Sequence, residues 1–161
     1  MKFTTLGYIE FSDAYLMLYR DVNKNDGSLG KWLGVGGKLE NNESEDECFL
    51  REVMEETGIC LSLNEISKRG IVDFKSCNYE SERMYLYTAS VSSDYFNPAC
   101  NEGKLKWIKK EEILSLNMWE GDHVFLERLL ADKPFFHLSL VYGGDNGDEL
   151  VEIIDDKLLF D

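Results

Sequence analysis

Proline is scarce in this chain of 161 residues: only Pro98 and Pro134 occur, and no linker, low-complexity tract or internal repeat interrupts it. A repeat array or a string of tethered modules is therefore excluded. The length suits one domain, residues 1–161, with enough chain for a real core. Positive charge is also short: 17 lysines and arginines stand against 31 aspartates and glutamates, a formal net charge of −14. Docking on duplex nucleic acid or on an anionic membrane calls for basic stripes that are missing here. A bound polyanion must then be small and accompanied by metal.

Cys48, Cys60, Cys77 and Cys100 form no C-x-x-C pair, so they read as buried or incidental free thiols rather than a disulfide frame or a zinc site. No apolar run is long enough to span a bilayer, and Met1-Lys2-Phe3-Thr4-Thr5 lacks the charged-then-apolar pattern of a secretory leader. The expected setting is cytoplasmic. Hydrophobic residues at 43% and aromatics at 12% are what the chain does have, and they support a packed core rather than disorder.

Periodicity divides the chain into strands around two helices. Residues 4–11 and 14–19, separated by Ser12-Asp13, read as a hairpin, and the Asn/Asp/Gly-dense stretch 21–30 as an exposed loop. Residues 66–74 and 83–91 predict two more strands. Met84, Leu86 and Thr88 would face one side and Tyr85, Tyr87 and Ala89 the other, as in a sheet covered on both faces. A short strand follows at 104–109, then a brief helix and turn at 113–118. A second helix is expected at 122–131, with Val124, Phe125, Leu126 and Leu129 inward. Residues 135–142 and 150–154 then form a closing hairpin across Gly143-Gly144-Asp145-Asn146-Gly147. The sum is an α/β fold, a mixed sheet with helices on both faces.

The densest chemistry lies between Gly36 and Ile59. Ser44 and Glu47 fit a capping box that opens a helix of about four turns, and Gly58 can close it in the left-handed conformation. On that helix Glu52, Glu55 and Glu56 share one arc, while Phe49, Leu50, Val53 and Met54 occupy much of the opposite side. Taken alone, three such carboxylates read first as a solvated acidic face. In a cleft, their repulsion calls for a compensating cation, and a hard divalent ion such as Mg²⁺ matches oxygen donors and substrate phosphates.

They do not stand alone. Gly37, Glu43, Arg51, Glu52, Val53, Glu55, Glu56, Gly58 and Ile59 fill every fixed position of the pattern G-x5-E-x7-R-E-U-x-E-E-x-G-U, where U is a bulky aliphatic residue. The stretch resembles the Nudix box. That resemblance implies an α/β/α sandwich and hydrolysis of a nucleoside diphosphate linked to another group. Mg²⁺, with Mn²⁺ as an alternative, would be held by Glu52, Glu55, Glu56 and the Gly36 carbonyl, with Glu55 as base, and Glu43 and Arg51 would fix the loop against the helix. Glu102, five residues before Trp107, matches a further ligand from a later loop. Lys38 is a candidate phosphate contact, as are the backbone N–H groups of Gly34, Gly36 and Gly37.

Softer motifs narrow the resemblance. Lys31-Trp32-Leu33-Gly34-Val35-Gly36-Gly37-Lys38, Asn117-Met118-Trp119-Glu120-Gly121-Asp122 and Lys133-Pro134-Phe135-Phe136-His137 look like the MutT-type branch, which hydrolyses oxidised purine nucleoside triphosphates such as 8-oxo-dGTP. By that likeness Trp119 would stack on the base and Asp122 read its polar edge, with Leu33, Phe74 and Met84 lining the pocket. Leu33 and Gly121 depart from the branch, whose vertebrate enzyme has asparagine and a second aspartate at those positions. Two alternatives stay open: another nucleoside diphosphate derivative as substrate, or a non-catalytic nucleotide sensor. The expected partner is a small nucleotide, and the expected state a monomer or homodimer.

Overall fold

A computed structural model describes residues 1–99 and 101–160. Cys100 lies outside the described residues; Cys48, Cys60 and Cys77 are free thiols, the first buried and the other two exposed.

The expected first hairpin is present as β1 (Lys2–Phe11) and β2 (Ala14–Tyr19), turning at Ser12, whose φ of 55° is left-handed. After the polar loop come β3 (Trp32–Leu33) and β4 (Val35–Lys38), then the helix α1 (Glu45–Thr57). β5 (Ile66–Lys75) and β6 (Glu82–Ser90) form the central antiparallel pair, and β7 (Lys104–Lys109) follows. The helix expected at 113–118 is instead a 3₁₀ turn over Lys110–Ser115. The second helix, α2, spans Glu120–Leu130 and so begins two residues earlier than its apolar pattern suggests. Trp119 becomes its N-cap, and Asp122 falls in its first turn. β8 (Phe136–Gly143) and β9 (Glu149–Asp155) close the chain as a hairpin whose turn uses Gly144 and Gly147 at φ 78° and 68°.

Among the described residues the strands form one mixed sheet in the order β3-β2-β1-β6-β5-β8-β9, with β4 also pairing β1 and β7 pairing β2. β1 runs parallel to β6, and β5 parallel to β8. Strand alternation divides the core in two, as the sequence predicts. Met84 and Leu86 join Phe125, Leu126 and Leu129 of α2 on one face, with Val124 packed at the edge. Tyr87 and Ala89 join Phe49 and Val53 of α1 on the other, with Tyr85 at the margin. Phe49 and Tyr87 stack at 4.6 Å between ring centroids. Covering both faces in this way is the α/β/α sandwich.

The apolar side of α1 is only partly buried. Met54 is 45% exposed, and Cys48 takes its place in the core. The buried stripe of α1 runs through Cys48, Phe49, Val53 and Thr57, so the helix is rotated until Glu52 and Glu56 sit at the stripe's margin while Glu55 faces solvent. No helix among the described residues is long and apolar enough to cross a membrane.

Candidate active site

The helix that carries the glutamates is held at both ends as its sequence predicts. Ser44 Oγ accepts from the Glu47 amide at 3.1 Å, and the Glu47 carboxylate accepts from the Ser44 amide at 3.3 Å. Gly58 ends the helix at φ 73° with its amide bonded to the Met54 carbonyl.

Arg51 ties this helix to the preceding loop. Its Nε and Nη2 donate to the two oxygens of Glu43 at 2.7 and 2.9 Å, a bidentate pair. Nη2 also reaches the Lys38 carbonyl at 3.1 Å, and Nη1 donates to Glu52 at 2.8 Å and Glu55 at 3.2 Å. The Arg51 hydrogen bonds pull the Glu43 pKa down to about 2. Every nitrogen of this guanidinium is engaged, so Arg51 orients carboxylates and does not line the cavity described below.

Glycines let the loop lie flat against those carboxylates. A Cβ on Gly37 would sit 2.5 Å from the Glu52 carboxylate, and one on Gly36 would collide with the Thr5 carbonyl of β1. The Gly36 amide donates to Glu56 Oε2 at 3.1 Å. Of the expected phosphate-facing amides, Gly36's is therefore already committed. Glu56 is pushed up to about 8, first by burial and then by the charge of Glu52, while the Gly36 amide and Arg20 act the other way. Burial also raises Glu52, helped by Glu55 and Glu102. Glu102 thus lies close enough to act on both glutamates, and it pairs with Lys24 at 3.2 Å and Arg20 at 4.0 Å.

Beside this rim lies a cavity of about 270 Å³, near the lower end of small-molecule sites. Leu33, Phe74, Met84, Trp119 and Asp122 all line it, and Gly36, Gly37 and Glu56 form its wall on the α1 side. The pocket residues expected from sequence are thus brought together from four elements, β3, β5, β6 and the start of α2. Trp119 is locked in place: its Nε1 donates to Ser28 Oγ at 3.1 Å, Tyr142 and Tyr79 meet it edge-on at 5.5 and 5.9 Å, and Lys31 Nζ lies 4.9 Å over its ring. Burial, and then the charge of Glu82, push Asp122 up to about 8. At neutral pH its carboxyl is mostly a neutral acid, able to donate as well as accept.

Lys38 is exposed and contributes its carbonyl to Arg51, outside the cavity; Glu55 is 57% exposed and also outside it. Sequence reasoning passed over Arg20, Ser28, Glu82 and Tyr142, which line the same space. A signal existed for two of them. Arg20 follows Leu18, and Glu82 precedes Met84, by two residues, the spacing that puts strand side chains on one face. Gly121 is explained by Tyr142: its amide donates to the Tyr142 hydroxyl at 2.8 Å, and a Cβ there would collide with that oxygen. A second aspartate does not fit at this position.

The NUDIX domain model matches residues 7–129, well over half of the chain. This chain belongs to the Nudix family. Among its relatives, an oxidized purine nucleoside triphosphate hydrolase of Danio rerio is 27% identical over 125 residues, covering 77% of this chain and 78% of the relative. The mouse protein of the same name is 27% identical over 115 residues, covering 71% and 72%. A solved MutT protein from Bacillus halodurans superposes with a TM-score of 0.83 at 26% identity, covering 97% of this chain and 98% of that one.

Nudix hydrolases generally use a divalent cation, and the donors of this Nudix protein fit one. They are all oxygen, and at Glu52 and Glu56 burial and mutual repulsion disfavour the ionised form, which a nearby cation would favour again. Among the described residues no three His, Cys, Asp or Glu side chains gather on one point; Glu52 and Glu55 both bond to Arg51.

Proposed function

We propose that this Nudix enzyme, a pyrophosphohydrolase, hydrolyses oxidised purine nucleoside triphosphates such as 8-oxo-dGTP, adding water to give the nucleoside monophosphate and pyrophosphate. The carrying observation is that one cavity joins an aromatic and acidic base pocket to the glycine and glutamate rim. Trp119 supplies a stacking face indifferent to base identity, worth roughly 1–3 kcal/mol. Asp122 supplies discrimination: as a neutral acid it donates to a ring carbonyl, and as a carboxylate it accepts from N–H groups. Glu52, Glu55, Glu56, the Gly36 carbonyl and Glu102 would hold Mg²⁺, or Mn²⁺ in its place. When bound, the ion offsets phosphate charge and acidifies water. Glu55, the most exposed of the three helix glutamates, takes the water's proton, and Arg51 positions it through the bond that also holds Glu52. Lys38 has no part in this reading. A mononucleotide substrate and free thiols fit a cytoplasmic protein whose single domain spans 1–161.

Another nucleoside diphosphate derivative is the second reading, favoured by Leu33 and by Gly121, where relatives of this branch carry polar readers. A nucleotide panel separates the two. Release of pyrophosphate from 8-oxo-dGTP at least tenfold faster than from dGTP, dependent on Mg²⁺, supports the first. Faster turnover of a nucleotide sugar or dinucleotide polyphosphate supports the second. Failure of all of them with Mg²⁺ and Mn²⁺ leaves a sensor with an idle box.

A further inference from the structure

Three polar side chains stand in a row across neighbouring strands, on the sheet face that also carries α1. Ser139 of β8 is registered with Asp73 of β5, and Asp73 with Arg83 of β6. Ser139 and Asp73 are fully buried, although α1 itself packs on β1 and β4. What covers them is the segment after β9. The chain turns at Asp156, whose φ of 55° is left-handed, and residues 157–160 pass over the row. Ser139 Oγ donates to the Lys157 carbonyl at 2.5 Å. The Leu159 and Phe160 amides donate to Asp73 Oδ2 at 2.8 and 3.2 Å, and Arg83 Nη2 donates to the Phe160 carbonyl at 2.8 Å. Arg83 also holds Asp73 in a bidentate pair at 2.8 and 2.9 Å. A carboxylate removed from water is costly unless donors surround it, and residues 157–160 supply two of the donors that keep Asp73 in place. Leu158, Leu159 and Phe160 are themselves only partly buried, so backbone bonds hold the segment more than packing does.

Strand side chains alternate between faces. Next to Asp73 and Arg83 in the chain stand Phe74, Glu82 and Met84, which line the cavity on the opposite face. Phe74 is registered with Glu82, and Val72 with Met84. The back of the pocket wall is therefore the floor on which residues 157–160 lie. We propose that Asp73, gripped by Arg83 and by the Leu159 and Phe160 amides, is a positioning residue for the base pocket. Docking of this clasp sets where Phe74 and Met84 stand, and a bound base in turn tightens the segment. The proposal rests on the nucleotide reading above for its ligand and deepens it. A segment held chiefly by hydrogen bonds opens at lower free energy than the core, and a buried carboxylate that loses two donors moves its strand with it. Coupling between two sites is reciprocal, so each strengthens the other by the same factor.

Leu159→Pro, outside the cavity, removes one of the two donated amides, and Leu159→Ala keeps it. In the ligand-free chain, the ¹³C-methyl signal of Met84, identified by its loss in Met84→Leu, is expected to shift in Leu159→Pro while that of Met54 on α1 stays in place. A Met84 signal that does not move overturns the proposal whatever the substrate. With 8-oxo-dGTP, Leu159→Pro and Asp73→Asn should raise KM at least fivefold with kcat within twofold, and Leu159→Ala should change neither by more than twofold. If Asp73→Asn does not fold, Leu159→Pro carries the test alone. Saturating 8-oxo-dGMP with Mg²⁺ should slow hydrogen exchange at the Leu159 and Phe160 amides at least fivefold in the wild-type chain. Exchange unchanged on binding overturns the coupling. A lowered Tm in Leu159→Pro with KM unmoved assigns the segment to stability alone and overturns the clasp. A Met84 shift in a chain that hydrolyses no nucleotide keeps the clasp and removes the proposed activity. Hydrolysis of 8-oxo-dGTP with KM unchanged in Leu159→Pro keeps the activity and removes the clasp.

Discussion

The glutamate rim and the base pocket share a wall, yet they are built by opposite means. The rim comes from one loop and one helix: Glu43, Arg51, Glu52, Glu55 and Glu56 lie within 14 consecutive positions, and helical spacing alone nearly sets their neighbours. It is polar, densely hydrogen-bonded and made of oxygen donors that fit a cation. The pocket draws Leu33, Phe74, Met84, Trp119 and Tyr142 from β3, β5, β6, the start of α2 and β8, and edge-on aromatic contacts hold it together. Electrostatics therefore governs the rim. Packing governs the pocket, where burial holds Asp122 largely as the neutral acid.

If that contrast holds, substitutions at the rim should remove turnover and leave stability, whereas those in the pocket should shift binding or pH response. The largest effect is expected for Glu56→Gln. Loss of a charged oxygen from the metal site should lower kcat by at least ~10³-fold, a cost of about 4 kcal/mol in the barrier. The glutamine oxygen can still accept from the Gly36 amide, so the melting temperature at pH 8 should be no lower than that of the wild type. Turnover within tenfold of wild type would remove Glu56 from the metal site.

Trp119→Ala should come next, raising KM by roughly 10- to 100-fold through lost stacking with little change in kcat, because substrate and transition state use the platform alike. A change confined to kcat would show that the indole does not bind the base.

The third effect falls on stability and concerns pH. Asp122 keeps its proton to about 8 in the folded chain, while the unfolded chain releases it near the usual carboxylate value of about 4. Its favourable contribution is complete below about pH 4 and is lost as the pH rises through 8. Asp122→Asn removes that loss. Urea unfolding should show the variant gaining on the wild type between pH 5 and 8, by at most ~1.4 kcal/mol per pH unit. A constant difference over that range would mean that Asp122 is not held neutral by the fold.

Most of the fold was legible. Alternation in β5 and β6 announced a sheet covered on both sides, and Ser44, Glu47 and Gly58 marked the ends of α1. Legibility failed where a helix phase or boundary depended on distant contacts. Met54 lies on the side of α1 away from the glutamates yet is exposed, and docking against β1 and β4 buries Cys48 instead. The start of α2 lay hidden because Trp119, its N-cap, has no capping oxygen; its place is secured by Tyr142, Tyr79 and Ser28. Arg20 and Glu82 went unread for a related reason, since a charged residue beside a strand looks solvated until the opposite wall is known.

Local spacing was enough to determine the capped helix, the three glutamates along it, the glycines that admit them and the arginine that orients them, because all of these contacts fall within a few turns of chain. Only the tertiary structure decided that Glu56 would be desolvated, that Asp122 would hold a proton, that Gly121 must lack a side chain and that Arg20 would be buried with a free donor. Each of those depends on what a second, distant segment places within a few ångströms, and dielectric, sterics and hydrogen-bond supply follow from that encounter.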